Sequence, residues 1–122
     1  MPIKWTISHA ERLVLAKTEG KVGLRDIEAY LDDVVVKGAA GYGKLFDARD
    51  GTVSSSDDDL MMLAARIRAY ASTMPGGPLA IVVTGPEARA FADRYVNLAQ
   101  ANRPVSVFRT LEQGRTWLDN QR

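Results

Sequence analysis

The chain contains no cysteine. That absence excludes disulfides, thiolate metal sites and thiol catalysis, and it leaves the fold to rest on packing alone. Histidine is almost missing as well. His9 is the only one, so neither a histidine-based metal cluster nor a Ser-His-Asp relay is readily assembled. Net charge is equally scarce: 16 basic against 15 acidic side chains leave +1, too little to draw the protein to nucleic acid or to an acidic membrane. No apolar run approaches membrane-spanning length. Met1-Pro2-Ile3-Lys4-Trp5-Thr6 alternates polar and apolar residues and does not form the apolar segment of a signal peptide. These absences lead us to expect no metal, no cofactor, no nucleic-acid partner, no membrane span and a cytoplasmic location.

What is present is an ordinary globular composition, 46% hydrophobic and 25% charged over 122 residues, enough for one core in one domain over residues 1–122. Ile3, Trp5 and Ile7 alternate with Lys4, Thr6 and Ser8 in the period of a half-buried strand, and His9-Ala10-Glu11 reads as a reversal. The return run 12–17 is apolar at consecutive positions, which predicts a strand covered on both faces and makes the first strand an antiparallel edge. Leu24, Ile27, Leu31, Val34 and Val35 carry a helical stripe that ends near Gly38. A short strand over 44–48 and a polar loop over 49–56 follow. Leu60, Leu63, Ala64, Ile67 and Ala71 then mark a second helix, with Ser56 and Asp59 as its capping pair.

Beyond the breaker Pro75-Gly76-Gly77-Pro78, the run Leu79-Ala80-Ile81-Val82-Val83 has the character of a buried parallel strand. Thr84-Gly85-Pro86-Glu87 carries three helix-start signals, with Thr84 as the expected cap. Phe91, Ala92, Tyr95 and Leu98 continue that helix, and Asn102-Arg103-Pro104 breaks it. Val105-Ser106-Val107-Phe108 is a last strand, and Thr110 with Gln113 caps a final helix bearing Trp117 and Leu118. The order is β-β-α-β-α-β-α-β-α. Its alternation predicts an α/β fold with a mostly parallel five-stranded sheet and an antiparallel first strand.

This order, with its opening hairpin, resembles the STAS fold of bacterial anti-sigma-factor antagonists, and more closely the proteins described as SpoIIAA-like. Ala16-Lys17-Thr18-Glu19-Gly20, the strand Leu45-Phe46-Asp47 and the ending from Val107-Phe108-Arg109-Thr110 to Trp117-Leu118 carry the likeness. The resemblance implies a regulatory, non-enzymatic module with a protein partner. In antagonists of this family, the helix after the third strand begins near a phosphorylatable serine. Ser54, Ser55, Ser56 and Asp57 occupy that place here, without the family's following glycine and with three aspartates close by. The same resemblance extends to lipid-binding domains of the Sec14 type, which implies as an alternative an apolar small ligand between helices and sheet.

Two sets of site residues follow. A helix N-terminus welcomes a phosphate on Ser55 or Ser56, but the simpler reading is that one serine caps the helix and the aspartates complement its dipole. Asp47, Arg49 and Asp50 are expected at the carboxyl end of a parallel strand, with Thr84 and Arg109 ending later strands on the same rim, where ligands of open α/β sheets collect. The simpler reading there is a solvated rim with an Asp-Arg pair. The partner-facing surface is accordingly expected over residues 50–58. Gly41-Tyr42-Gly43 and Pro75-Gly76-Gly77 lack the strand-to-helix context of a phosphate loop. Met61, Met62, Trp5 and Trp117 read as core filler. An exposed edge strand and near-zero charge lead us to expect a homodimer.

Overall fold

The computed structural model describes residues 2–53, 56–71, 76–98 and 103–121. Its elements are β1 (Ile3–Ser8), β2 (Leu13–Val22), α1 (Leu24–Val36), β3 (Gly43–Val53), α2 (Asp57–Ala71), β4 (Leu79–Val82), α3 (Pro86–Leu98), β5 (Val105–Phe108) and α4 (Leu111–Asn120). The strands lie in one sheet in the order β1-β2-β3-β4-β5. β1 pairs antiparallel with β2, and every later neighbour is parallel. This is the single mixed α/β sheet that the alternation of elements predicts.

The sheet order decides where the helices go. Each crossover from β2 onward steps one strand in the same direction, and right-handed crossovers then stack α1, α2 and α3 on one face. Tyr30 and Val34 of α1 are buried with Ile3, Val14 and Ala16, while Ala92 of α3 is buried with Leu79, Ile81 and Val83. The partly buried Phe46 of β3 packs against both groups. α4 follows the last strand, is free of that constraint, and covers the opposite face by burying Leu118 against Leu13, Leu45, Ala80 and Val82. Gly114 lets it sit close, because a Cβ there would come within 2.9 Å of Leu45 Cδ1.

Local signals account for most boundaries. Thr110 Oγ1 accepts the Gln113 amide at 3.1 Å, as its position predicts. Gly38, at φ +74°, follows the end of α1 in the left-handed conformation that glycine tolerates best. Four expectations are corrected. β2 and β3 run on to Val22 and Val53, so residues 49–53, read as loop, are strand. A register shift at Thr18 lets Glu19 through Val22 pair with Asp50 through Val53, which the interrupting Gly20 and Gly51 conceal in the sequence. Thr84 is not the residue that opens α3. Gly85, at φ +89°, supplies the carbonyl that accepts the Arg89 amide. Met61 and Met62 are exposed on α2 rather than packed in the core, and Leu15 of β2 is 41% exposed, so β2 is not covered on both faces throughout.

Candidate functional site

The three helices do not close fully on the sheet. α2 makes its main contacts with α1 and α3 rather than with the strands beneath it. Between them lies a cavity of about 600 Å³. Its walls come from the apolar faces already described: Phe46 and Ile81 from the sheet, Leu63 and Ile67 from α2, and Phe91 and Ala92 from α3. A void of this size sits within the range of small-molecule sites.

α2 is clasped to α1 across the cavity roof. Arg66 donates from Nη2 to both oxygens of Asp32, at 2.8 and 3.0 Å, and its Nη1 lies 3.6 Å from Glu28. Tyr70 adds a 2.5 Å hydrogen bond to the same Asp32 oxygen. The donated bonds from Tyr70 and Arg66 hold the Asp32 carboxyl below its ordinary range.

One end of the cavity meets solvent, where Arg49, Thr84, Gly85, Pro86 and Glu87 are exposed. The other lies at the amino edge of the parallel strands and is polar. Lys44, the second residue of β3 and only 3% exposed, donates from Nζ to the carbonyls of Ala40 at 2.7 Å and Tyr42 at 2.9 Å. Burial, and secondarily the charge of Arg103, push the Lys44 amine down to about 7. Arg103, in the connection between α3 and β5, is hydrogen-bonded to Tyr95. Desolvation raises the phenols of Tyr95 and Tyr30, and the Arg103 charge opposes it in both. Among the described residues, the buried Tyr30 hydroxyl has no hydrogen-bond partner.

The rim residues expected from sequence separate. Arg49 binds Asp47 through Nε at 2.8 Å and Nη2 at 2.9 Å, which keeps the Asp47 carboxyl low and ties up both groups. Asp50 pairs with Lys17 at 3.2 Å, both exposed. Because β4 pairs only with Lys44 through Asp47, β3 from Ala48 onward overhangs it, and Asp50 stands within a strand rather than at the end of one. Arg49 and Thr84 reach the cavity mouth, but Asp47, Asp50 and Arg109 are not among its lining residues. Ser56 Oγ accepts the Asp59 amide at 3.1 Å and the Ser56 amide donates to Asp59 Oδ2 at 3.4 Å, which is the expected capping box. Ser54 and Ser55 lie outside the described residues, and Asp57 opens α2.

Sequence reasoning missed the polar end altogether. Tyr30 sits on the α1 stripe, three residues after Ile27, and reads as core. Lys44 stands alone in an apolar strand, the one signal that could have marked it. Arg103 is hidden in a helix breaker. Among the described residues, no group of three or more His, Cys, Asp or Glu is placed to hold a metal, and no helix is long and apolar enough to cross a membrane.

No family model and no curated protein sequence matches the chain. Solved structures do. An uncharacterised protein of the DUF3478 family with a SpoIIAA-like fold, from Shewanella loihica, superposes with a TM-score of 0.65 at 16% identity, covering 95% of this chain and 93% of that one. An anti-sigma factor antagonist from Mycobacterium paratuberculosis gives 0.62 at 15% identity, with 96% and 94% covered. The chain therefore has a STAS-like fold of the SpoIIAA type over nearly its whole length.

Proposed function

We propose that this STAS-like domain works by binding, without catalytic chemistry of its own, and that its ligand is a small apolar molecule held between the sheet and α1, α2 and α3. The observation that carries this reading is the cavity of about 600 Å³ whose wall is built from Ile81, Leu63, Ile67 and Phe91, side chains that ordinarily pack against one another. A void of that size forfeits dispersion contacts along its whole lining. A ligand restores them, with α2 as the element that moves to admit it.

Native mass spectrometry of the purified protein tests the proposal. The expected result is a retained small molecule, or uptake of one added equivalent of a neutral apolar probe such as dodecanol. A protein that stays at its bare mass with the probe in excess contradicts it.

A second reading has its own support. The neighbour from Mycobacterium is an anti-sigma factor antagonist, and the overhanging end of β3 with the start of α2 offers a surface for a regulatory protein partner. Replacing Ser55 and Ser56 together by alanine separates contact from capping. Loss of the Ser56 cap costs only about 0.5–2 kcal/mol, so weakened capture of a partner at matched folded concentration supports this reading, and unchanged capture contradicts it.

A further inference from the structure

We infer that the ligand is a single-chain anionic amphiphile, a carboxylate whose head sits at the amino-edge end of the cavity between Lys44 and Arg103, with the Tyr30 hydroxyl donating to it and its chain running along the apolar wall toward Thr84. The inference rests on the cavity being a ligand site and adds the chemistry of what fills it.

Three observations converge on that end. Lys44 and Arg103 are close enough for the arginine charge to bear on the lysine, yet among the described residues no carboxylate pairs with either. A Lys44 ammonium and the Arg103 guanidinium repel each other, and an anion close to both turns that repulsion into attraction. A lysine ammonium has three N–H donors. Two are taken by Ala40 and Tyr42, which leaves one for a ligand. Tyr30, 4% exposed, lines the same cavity, and its buried hydroxyl has no partner among the described residues. A buried hydroxyl left unpaired is costly, and a carboxylate oxygen would satisfy it.

The rest of the site asks for a chain rather than a free anion. From Lys44 to Ala48 the β3 wall spans about 13 Å at ~3.3 Å per residue, and its inward side chain between them is Phe46. At the opposite, exposed end stand the carboxylate of Glu87 and an Arg49 already tied to Asp47, which together disfavour an anionic head there. Polarity therefore fixes direction, head inward and tail outward.

Titration calorimetry with dodecanoate, dodecanol, dodecylammonium and acetate tests the inference on wild type, Tyr30→Phe and Lys44→Met. Dodecanoate is expected to bind at least tenfold tighter than dodecanol, dodecylammonium weaker than either, and acetate not measurably. Tyr30→Phe, which removes one oxygen from a packed ring, is expected to lower dodecanoate affinity several-fold and leave dodecanol unchanged. Lys44→Met is expected to bring the two within about threefold of each other. Equal affinity for dodecanoate and dodecanol in wild type, or a preference for dodecylammonium, overturns the head-group assignment and leaves the cavity as a neutral site. Acetate matching dodecanoate overturns the chain. Failure of all three chain molecules to bind overturns the cavity reading itself.

Discussion

Trp5 Nε1 donates a 2.7 Å hydrogen bond to Asp33 Oδ2, 28 residues along the chain, and so fastens the edge strand β1 to α1. That donated bond is also the main reason the Asp33 carboxyl is held below its ordinary range. The ring packs edge-on against Tyr30, centroids 5.4 Å apart, and Trp5 thus supports the helix that carries the unpaired hydroxyl. Trp5→Phe keeps most of the packing and removes the donor. Its expected cost is about 1–2 kcal/mol in denaturant unfolding, and a change near zero shows the bond to be inconsequential.

Arg66 is the main tie between α1 and α2, and its partners are partly solvated, so its loss is expected to cost little global stability. The effect belongs to local opening. In Arg66→Ala, amide exchange across α2 is expected to accelerate while β2 and β3 keep their protection. Uniform acceleration through the sheet contradicts the picture of α2 as a roof held separately from the core.

Lys44 gives the protein a pH signature. An unfolded lysine titrates near 10.4, whereas burial beside Arg103 brings the folded one down to about 7. Between those values the unfolded chain holds a proton that the folded chain has released, so stability rises with pH across that window, by at most about 1.4 kcal/mol per unit. Tyr30 from α1 and Tyr95 from α3 are both raised and stay neutral, and among the described residues α2 contributes Leu63 and Ile67 to the cavity lining. Lys44→Met is expected to flatten the rise. A carboxylate ligand returns the proton to Lys44, so its affinity is expected to fall as pH climbs above 7. An affinity that is flat from pH 6 to 9 contradicts the pairing.

The sequence carried the element order, the edge position of β1 and the caps of α2 and α4, because these depend on near neighbours: Ile3 with Trp5, Ser56 with Asp59, Thr110 with Gln113. It did not carry the extension of β3. That strand is held by pairing with Lys21 and Val22 across the sheet, and Asp50 and Gly51 are poor strand formers taken alone. The site was still less legible. Leu63 and Ile67 show the same helical spacing whether they touch the sheet or face a void, so periodicity cannot announce a cavity. Lys44, Tyr30 and Arg103 converge only through the fold, from three separate segments of the chain.

Methyl NMR during a titration with dodecanoate reports where in the protein the ligand sits. Saturable shifts are expected at Leu63, Ile67, Ile81 and Val83, which line the cavity, with Leu13 and the Leu118 of α4 that packs on it unmoved. Shifts gathered instead at Leu15 and Leu111, in the depression of about 570 Å³ beside α4, or no shift at all, would contradict it.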